Sequence, residues 1–269
     1  MDEIFAKSGS RILVRYAPSY AARNQIFERL RRNQVYILLI GRTGIGKTTF
    51  KSILADPTFV SDLENTQSKT QFPTFEQYSL SGSETILNFI DTPGLFQHTE
   101  STSPLPDNDT LMQLIDSYIR SKTQQLHFIC FFISISVLLT AEDLNSVRAI
   151  FDYLGPDIRK NACLIVTHCE SKKGHERENF CGEINRNLDL KALSSQMKQG
   201  VFFTGSINAK DWHESSNLVY KQFETVCSYR QKILDLFTKP DINPVDLTAN
   251  VLAQKIKDQI TARTKKNPN

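Results

Sequence analysis

The amino-acid sequence predicts an α/β fold with a mostly parallel central sheet and helices on both faces. Three observations predict it. Short β-branched apolar runs alternate with stretches of helical spacing, the pattern of strands joined by helical crossovers. A glycine-rich turn, "GRTGIGKTT" (Gly41 to Thr49), separates the first such strand from the first such helix. Four apolar runs leave into polar or glycine residues, as expected where ligands sit beyond the carboxyl ends of the strands.

The elements follow in chain order. "VYILLI" (Val35 to Ile40) is of buried-strand type, and "TTFKSILA" after the glycine turn can carry a helix. "DPTFVSDLENTQSKTQFPT" is polar and without period, hence a long loop. "FEQYSL" alternates, "SGSE" turns and "TILNFI" runs back into "DTPG", which reads as a β-hairpin with a sharp exit. "HTESTSPLPDND" (His98 to Asp109) has the composition of a second long loop. "LMQLIDSYIRSK" has helical spacing through Leu111, Leu114, Ile115 and Tyr118. "FICFFISISVLL" (Phe128 to Leu139) is the most apolar segment, yet it is only about twelve residues where a membrane span needs about twenty. It reads as a central strand with a loop after it. "AEDLNSVRAIFDYLG" is helical through Leu144, Val147, Ile150, Phe151 and Leu154, with Gly155 as its stop. "ACLIVTHCE" is the next strand, "VFFTGS" the last, and "SNLVYKQFETVCSYRQKILDLF" a long amphipathic helix.

With 269 residues, 40% of them hydrophobic, the chain can bury one sizeable core. A single domain over 35–237 is expected, preceded by an extension over 1–34 that carries the basic "RNQIFERLRRN" and followed by a basic amphipathic segment over 238–269. In that last segment Leu252, Ile256 and Ile260 lie among Lys255, Lys257, Arg263, Lys265 and Lys266. A helix docked back on the domain or an end lost to disorder is the favoured reading, and a peripheral contact with a membrane or partner is the other. A net charge of +3 is too small to suggest nucleic acid. Five cysteines without a C-x-x-C pair point to a reducing compartment, the cytoplasm. "MDEIFAKSGS" has no apolar core of a secretory signal, and no transmembrane segment is expected.

The glycine turn fits G-x-x-x-x-G-K-S/T as Gly41, Gly46, Lys47 and Thr48, with Thr49 next: a P-loop. Gly44 and Gly46 let the backbone curl around a phosphate chain, and the N–H groups of the turn and of the helix start point at it. Arg42, Thr43 and Ile45 complete the nucleotide-binding turn. Lys47 is expected on the β- and γ-phosphates, and the Thr48 hydroxyl on Mg²⁺. The hairpin's second strand ends in Asp91, with Gly94 three residues on, the D-x-x-G arrangement of G domains. Asp91 is expected to hold Mg²⁺ through water, and the Gly94 N–H to sense the γ-phosphate.

The order of P-loop, threonine-bearing loop, "DTPGLF", "LLTAEDLNSVRAIFDYLG" and "THCE" resembles the G domain of the immunity-associated GTPases, the avirulence-induced-gene type. The resemblance covers roughly Val35 to Phe237 and is most specific at "GRTGIGKTT", "DTPGLF" and "LTAEDLNSV"; chloroplast import receptors and septins resemble it more distantly. Where G domains generally read the base with N/T-K-x-D, this chain has Thr167, His168, Cys169 and Glu170. His168 can stack on a purine, and Glu170 can accept from the two donors that guanine presents and adenine lacks. "TGS" (Thr204 to Ser206), with Gly205 and Ser206, looks like the second base-contacting loop. A zinc reading of Cys163, His168, Cys169, His175 and Cys181 is set aside, because Cys163 starts an apolar strand and His168 and Cys169 are adjacent.

In Ras-like proteins a water-orienting glutamine follows the D-x-x-G glycine; here it is Leu95. Slow intrinsic GTP hydrolysis is therefore expected. Thr70 is the preferred switch threonine on Mg²⁺, with Thr66 and Thr74 as rivals. The expected catalytic set is Lys47, Thr70 and Gly94, and the expected metal set Thr48, Thr70 and Asp91. Arg42 and Arg120 are sources of positive charge in cis or across a homodimer. The resulting expectation is a GTP/GDP switch that assembles with itself and acts on an unknown protein effector. The alternative is a nucleotide-locked binding module with little turnover, and an ATPase is a weaker third.

Overall fold

β1 (Asn33–Ile40) is buried at every position from Ile37 to its end, because it lies between two parallel partners, β4 (Thr85–Asp91) and β6 (Phe128–Ser134). Ile37, Leu38 and Leu39 have no exposed surface at all. The structure, a computed structural model, describes residues 33–61, 73–80, 82–92, 116–136, six positions between 144 and 154, 156–172, 174–186, 188–214 and 217–247. After β1 come α1 (Lys47–Ala55), β2 (Val60–Ser61) and the hairpin of β3 (Thr74–Ser79) with β4. A helical stretch over 116–122, β5 (Gln125–Leu126) and β6 follow. Helical positions between 144 and 154 and a 3₁₀ turn (Pro156–Asn161) lead to β7 (Ala162–Thr167). The rest is α2 (Gly174–Arg186), α3 (Leu188–Gln196), β8 (Val201–Phe203), β9 (Ile207–Asn208), α4 (Ala209–His213), α5 (Leu218–Phe237) and β10 (Val245–Asp246).

The main sheet has six strands in the order β3-β4-β1-β6-β7-β8. All its pairings are parallel except the β3–β4 hairpin. This is the mostly parallel sheet that the alternating pattern predicts. Side chains alternate across it, since successive Cβ atoms of a strand point to opposite faces. On one face Leu38, Ile40, Ile129, Phe131 and Ile133 pack with Ile150, Phe151 and Leu154. On the other, Ile37, Leu39, Phe128 and Phe132 pack with Phe50 and Leu54 of α1 and with Ile233 and Phe237 of α5. Leu144, Val147, Ile150, Phe151 and Leu154 are all buried, as their helical spacing predicts.

Several elements left no readable period. α2, "GHERENFCGEINR", is polar nearly throughout; Ile184 is buried, and Arg177 donates to Tyr229 Oη at 2.7 Å. β2 lies near the start of the stretch read as loop and has only two residues, pairing in parallel with β9. β10 pairs antiparallel with β5, and Leu247 beyond it is buried in the core. The chain thus stays packed on the domain for ten residues past α5, up to position 247. Thr66, Thr70, Gly94, Leu95, the loop over 98–109, residues 1–32 and residues 248–269 lie outside the described residues.

Candidate nucleotide site

The glycine turn is built by close approach and by left-handed backbone. A Cβ on Gly41 would lie 2.9 Å from Phe132 Cβ, so the turn can leave β1 beside β6 only without a side chain there. Gly44 (φ 72°) and Gly46 (φ 100°) sit in the region that glycine alone enters without strain. Gly46 caps α1 with no side-chain hydrogen bond, which leaves the first N–H groups of the helix for an anion. Lys47 is buried, and its Nζ donates to the carbonyls of Gly41 (2.8 Å) and Arg42 (3.0 Å). Burial pushes its pKa down to about 8, with Asp91 pulling it up and Lys51 pushing it down further. A phosphate would add negative charge beside this group and favour its ammonium form.

Of the residues expected on the metal, one lies on the neighbouring strand. Asp91 closes β4 in register with Leu39 of β1 and is only 1% exposed. Its Oδ2 accepts from Thr48 Oγ1 at 3.5 Å and pairs with Lys51 Nζ at 3.0 Å, while its buried Oδ1 has no partner. Among the described residues no group of three His, Cys, Asp or Glu side chains is arranged to hold a metal. Mg²⁺ needs no such cage, because it draws most of its ligands from phosphates and water. Thr48 and the free oxygen of Asp91 fit that mode. Thr74 opens β3 in register with Asp91 and is exposed; Thr70 and Gly94 lie outside the described residues.

The residues expected on the base lie at the exits of β7 and β8. Cys169 N–H donates to the Thr204 carbonyl (3.0 Å), and Thr204 N–H to that of Val166 (2.8 Å), which ties the two exits together. A pocket of about 50 Å³ brings Gly46 and Thr49 of the P-loop against His168, Glu170, Gly205 and Ser206. It is far smaller than the roughly 300–1,000 Å³ of ordinary small-ligand sites, so a purine enters only if these side chains give way. Burial raises the pKa of Glu170, against the pull of its own backbone N–H, of His168 and of the Ser206 backbone. His168 takes a left-handed backbone (φ 61°), with Nδ1 3.1 Å from Ser134 Oγ and 3.0 Å from Thr167 Oγ1.

Two residues of this region escaped the sequence reading. Ser61 lines the same pocket and accepts a hydrogen bond from Ser206 Oγ at 2.9 Å. Nothing in its polar loop marked it. Lys51 is buried beside Asp91, and a signal existed: it falls on the face of α1 that Phe50 and Leu54 bury, where a lysine is out of pattern.

Arg120 is placed elsewhere than the sequence reading put it. Its Nε donates to both Asp116 oxygens at 2.8 Å and its Nη1 to the Leu247 carbonyl, near β5 and the amino end of β6. That is the end of the sheet away from the P-loop. Two of the three cysteines of the zinc reading face the core: Cys163 Sγ lies 3.4 Å from Cys130 Sγ, and Cys169 Sγ meets the carbonyls of Val166 and Thr167, while Cys181 is half-buried on α2. A larger concavity of about 970 Å³ lies between α2, β8 and α5. It holds no P-loop residue, so size does not locate the site.

Comparison with known proteins bears on the family and the fold. The model of the AIG1 family matches residues 35–224. GTP-binding protein A of Dictyostelium discoideum is 26% identical over 183 residues, which are 65% of this chain. The match spans only 37% of that protein's length. Toc33 from Arabidopsis thaliana, solved in complex with GDP and Mg²⁺, superposes with a TM-score of 0.53 at 19% identity, over 80% of this chain and 88% of that one. Toc33 in complex with Mg²⁺ and GMPPNP gives 0.50 at 16% identity, over 87% and 93%. These two show a shared α/β P-loop G-domain fold. Since the family model runs from the strand before the P-loop into the last long helix, most of the chain, the chain belongs to the AIG1 family.

Proposed function

We propose that this G domain binds GTP and GDP with Mg²⁺ and hydrolyses GTP slowly, as a nucleotide-dependent switch that dimerises or assembles through its G domain. One observation carries the reading: Gly46 and Thr49 of the P-loop share a pocket with His168, Glu170, Gly205 and Ser206. Phosphate and base elements, distant in sequence, face one ligand. The glycine turn and Lys47 would hold the phosphates, and Thr48 and Asp91 the metal, which supplies charge neutralisation at the phosphates when bound. His168 would stack on the base and Glu170 accept from its two donors, which favours guanine. The relative named GTP-binding protein A and the Toc33 complexes with GDP and GMPPNP support a guanine nucleotide.

Slow turnover follows from Leu95, which cannot orient water. Thr70 and Gly94 would complete the γ-phosphate side, and a second copy could bring Arg42 or another polar group onto it. An arginine supplied in this way is worth about 10³–10⁵ in rate. The test is to identify the nucleotide in purified protein and to time GTP hydrolysis from nanomolar to high micromolar protein. Specific activity should rise and then level, and the GTP-analogue form should elute larger than the GDP form. Constant specific activity from a monomer in both states would refute self-activation. Leu95 favours a second reading in that event, a nucleotide-locked binding module. A basic C-terminal contact with a membrane and an unknown protein effector stay part of the proposal, as do placement in the cytoplasm and the absence of a nucleic-acid partner.

A further inference from the structure

Lys51 has no part in the roles assigned above, yet it is among the most buried charges described, with a side chain 3% exposed. It sits one helical turn after Lys47, on the buried face of α1. A lysine is held in such a place only by partners. Its partners come from two other elements. Nζ lies 3.0 Å from Asp91 Oδ2 at the end of β4, and it also bonds Glu76 of β3, whose second oxygen accepts from Tyr78 Oη at 2.7 Å. Burial pushes the Glu76 pKa up, but the hydrogen bonds from Lys51 and Tyr78 outweigh it and hold the carboxyl below its ordinary value. Lys47 feels the charges of both Asp91 and Lys51, so the four groups form one cluster of two cations and two anions.

We infer that Lys51 is a built-in cation for the metal acid, holding Asp91 charge-compensated and in place with or without Mg²⁺, so that nucleotide binding is only weakly coupled to Mg²⁺. The inference rests on the G-domain reading. Lys51 occupies Oδ2 and leaves the buried Oδ1 open. The carboxylate is therefore already compensated and already oriented before a metal arrives. A cation that joins a paired carboxylate gains less attraction than one that joins an unpaired one. Coupling between two ligands is reciprocal, so a smaller gain for Mg²⁺ is a smaller gain for nucleotide. Without Lys51 the cluster of Lys47, Asp91 and Glu76 would be one charge negative, and the cation beside Asp91 would have to come from Mg²⁺. Lys51 is thus a positioning residue and does not itself touch the reacting atoms.

The test is the ratio of GDP affinities in excess Mg²⁺ and in EDTA, read with a fluorescent guanine nucleotide and accompanied by melting temperatures. Wild-type protein is expected to lose less than about tenfold on chelation, and a larger loss overturns the inference without any variant. In Lys51→Met the ratio is expected to grow about tenfold, and growth of less than about threefold in folded protein overturns it. Because Lys51→Met leaves the buried Asp91 without its cation at a cost in stability, Lys51→Met/Glu76→Gln removes one charge of each sign. If Lys51 were only a structural ion pair, this double variant would regain both melting temperature and wild-type coupling. Regained stability with the enlarged ratio supports the positioning role. Wild-type protein that binds no guanine nucleotide under either condition would instead fail the G-domain reading itself.

Discussion

Glu170 lies so close to Gly205 that a Cβ on the glycine would come within 2.6 Å of the Glu170 backbone nitrogen. The exit of β8 thereby serves as a wall against which the β7 exit is seated. Gly205→Ala must push the two exits apart, and overpacking of this kind costs about 1–3 kcal/mol. The variant is expected to melt lower, by about 2–4 °C per kcal/mol, and to bind GDP more weakly. Calorimetry of both properties checks it; unchanged melting and unchanged GDP affinity would show that the exits tolerate the methyl group.

Glu170 should set both base choice and pH response. Glu170→Ala is expected to lose about 1.5–3 kcal/mol of GDP affinity, since two base donors lose a charged acceptor. Burial raises the Glu170 pKa in the free protein. With the folded pKa raised, its contribution to stability is present at low pH and is lost as pH rises through that value. Guanine binding needs the ionised form and so runs the opposite way, weakening as pH falls through the raised pKa. Glu170→Gln should flatten that weakening. GDP titrations across acidic pH, for wild type and variant, test this, and equal GTP and ATP affinity in the wild type would refute the base assignment.

Lys47 should take up a proton when nucleotide binds. Its pKa of about 8 in the free protein means that part of the population is neutral at mildly basic pH, and phosphate restores the ammonium form. Affinity should fall as pH rises above that value, and binding enthalpies in two buffers of different ionisation heat should report the uptake near it. Lys47→Ala should abolish detectable binding, while Thr48→Asn should leave GDP favoured over GTP, because the metal is shared with the γ-phosphate. Identical titration curves for all three proteins would remove this turn from the site.

The strands of the main sheet were legible as apolar or alternating runs, and the helix of Leu144 to Leu154 because burial on one face leaves a period in the chain. α2 was not, because its polar sequence is held by contacts such as Arg177 on Tyr229, which no local period records. The phosphate end was readable for a similar reason: Gly41 to Thr49 are covalent neighbours in one turn, so residue type and spacing alone specify the backbone and the charge. The pocket at the exits of β7 and β8 needed the folded chain to bring Ser61 to Ser206, 145 residues apart in sequence, and Gly205 onto Glu170. Arg120 could be seen as an arginine but not as the partner of Asp116 and Leu247, and Lys51 as a lysine but not as the partner of Asp91. A local pattern fixes which face of an element is buried; which charge meets which is decided only by the order in which strands and helices come to lie beside one another.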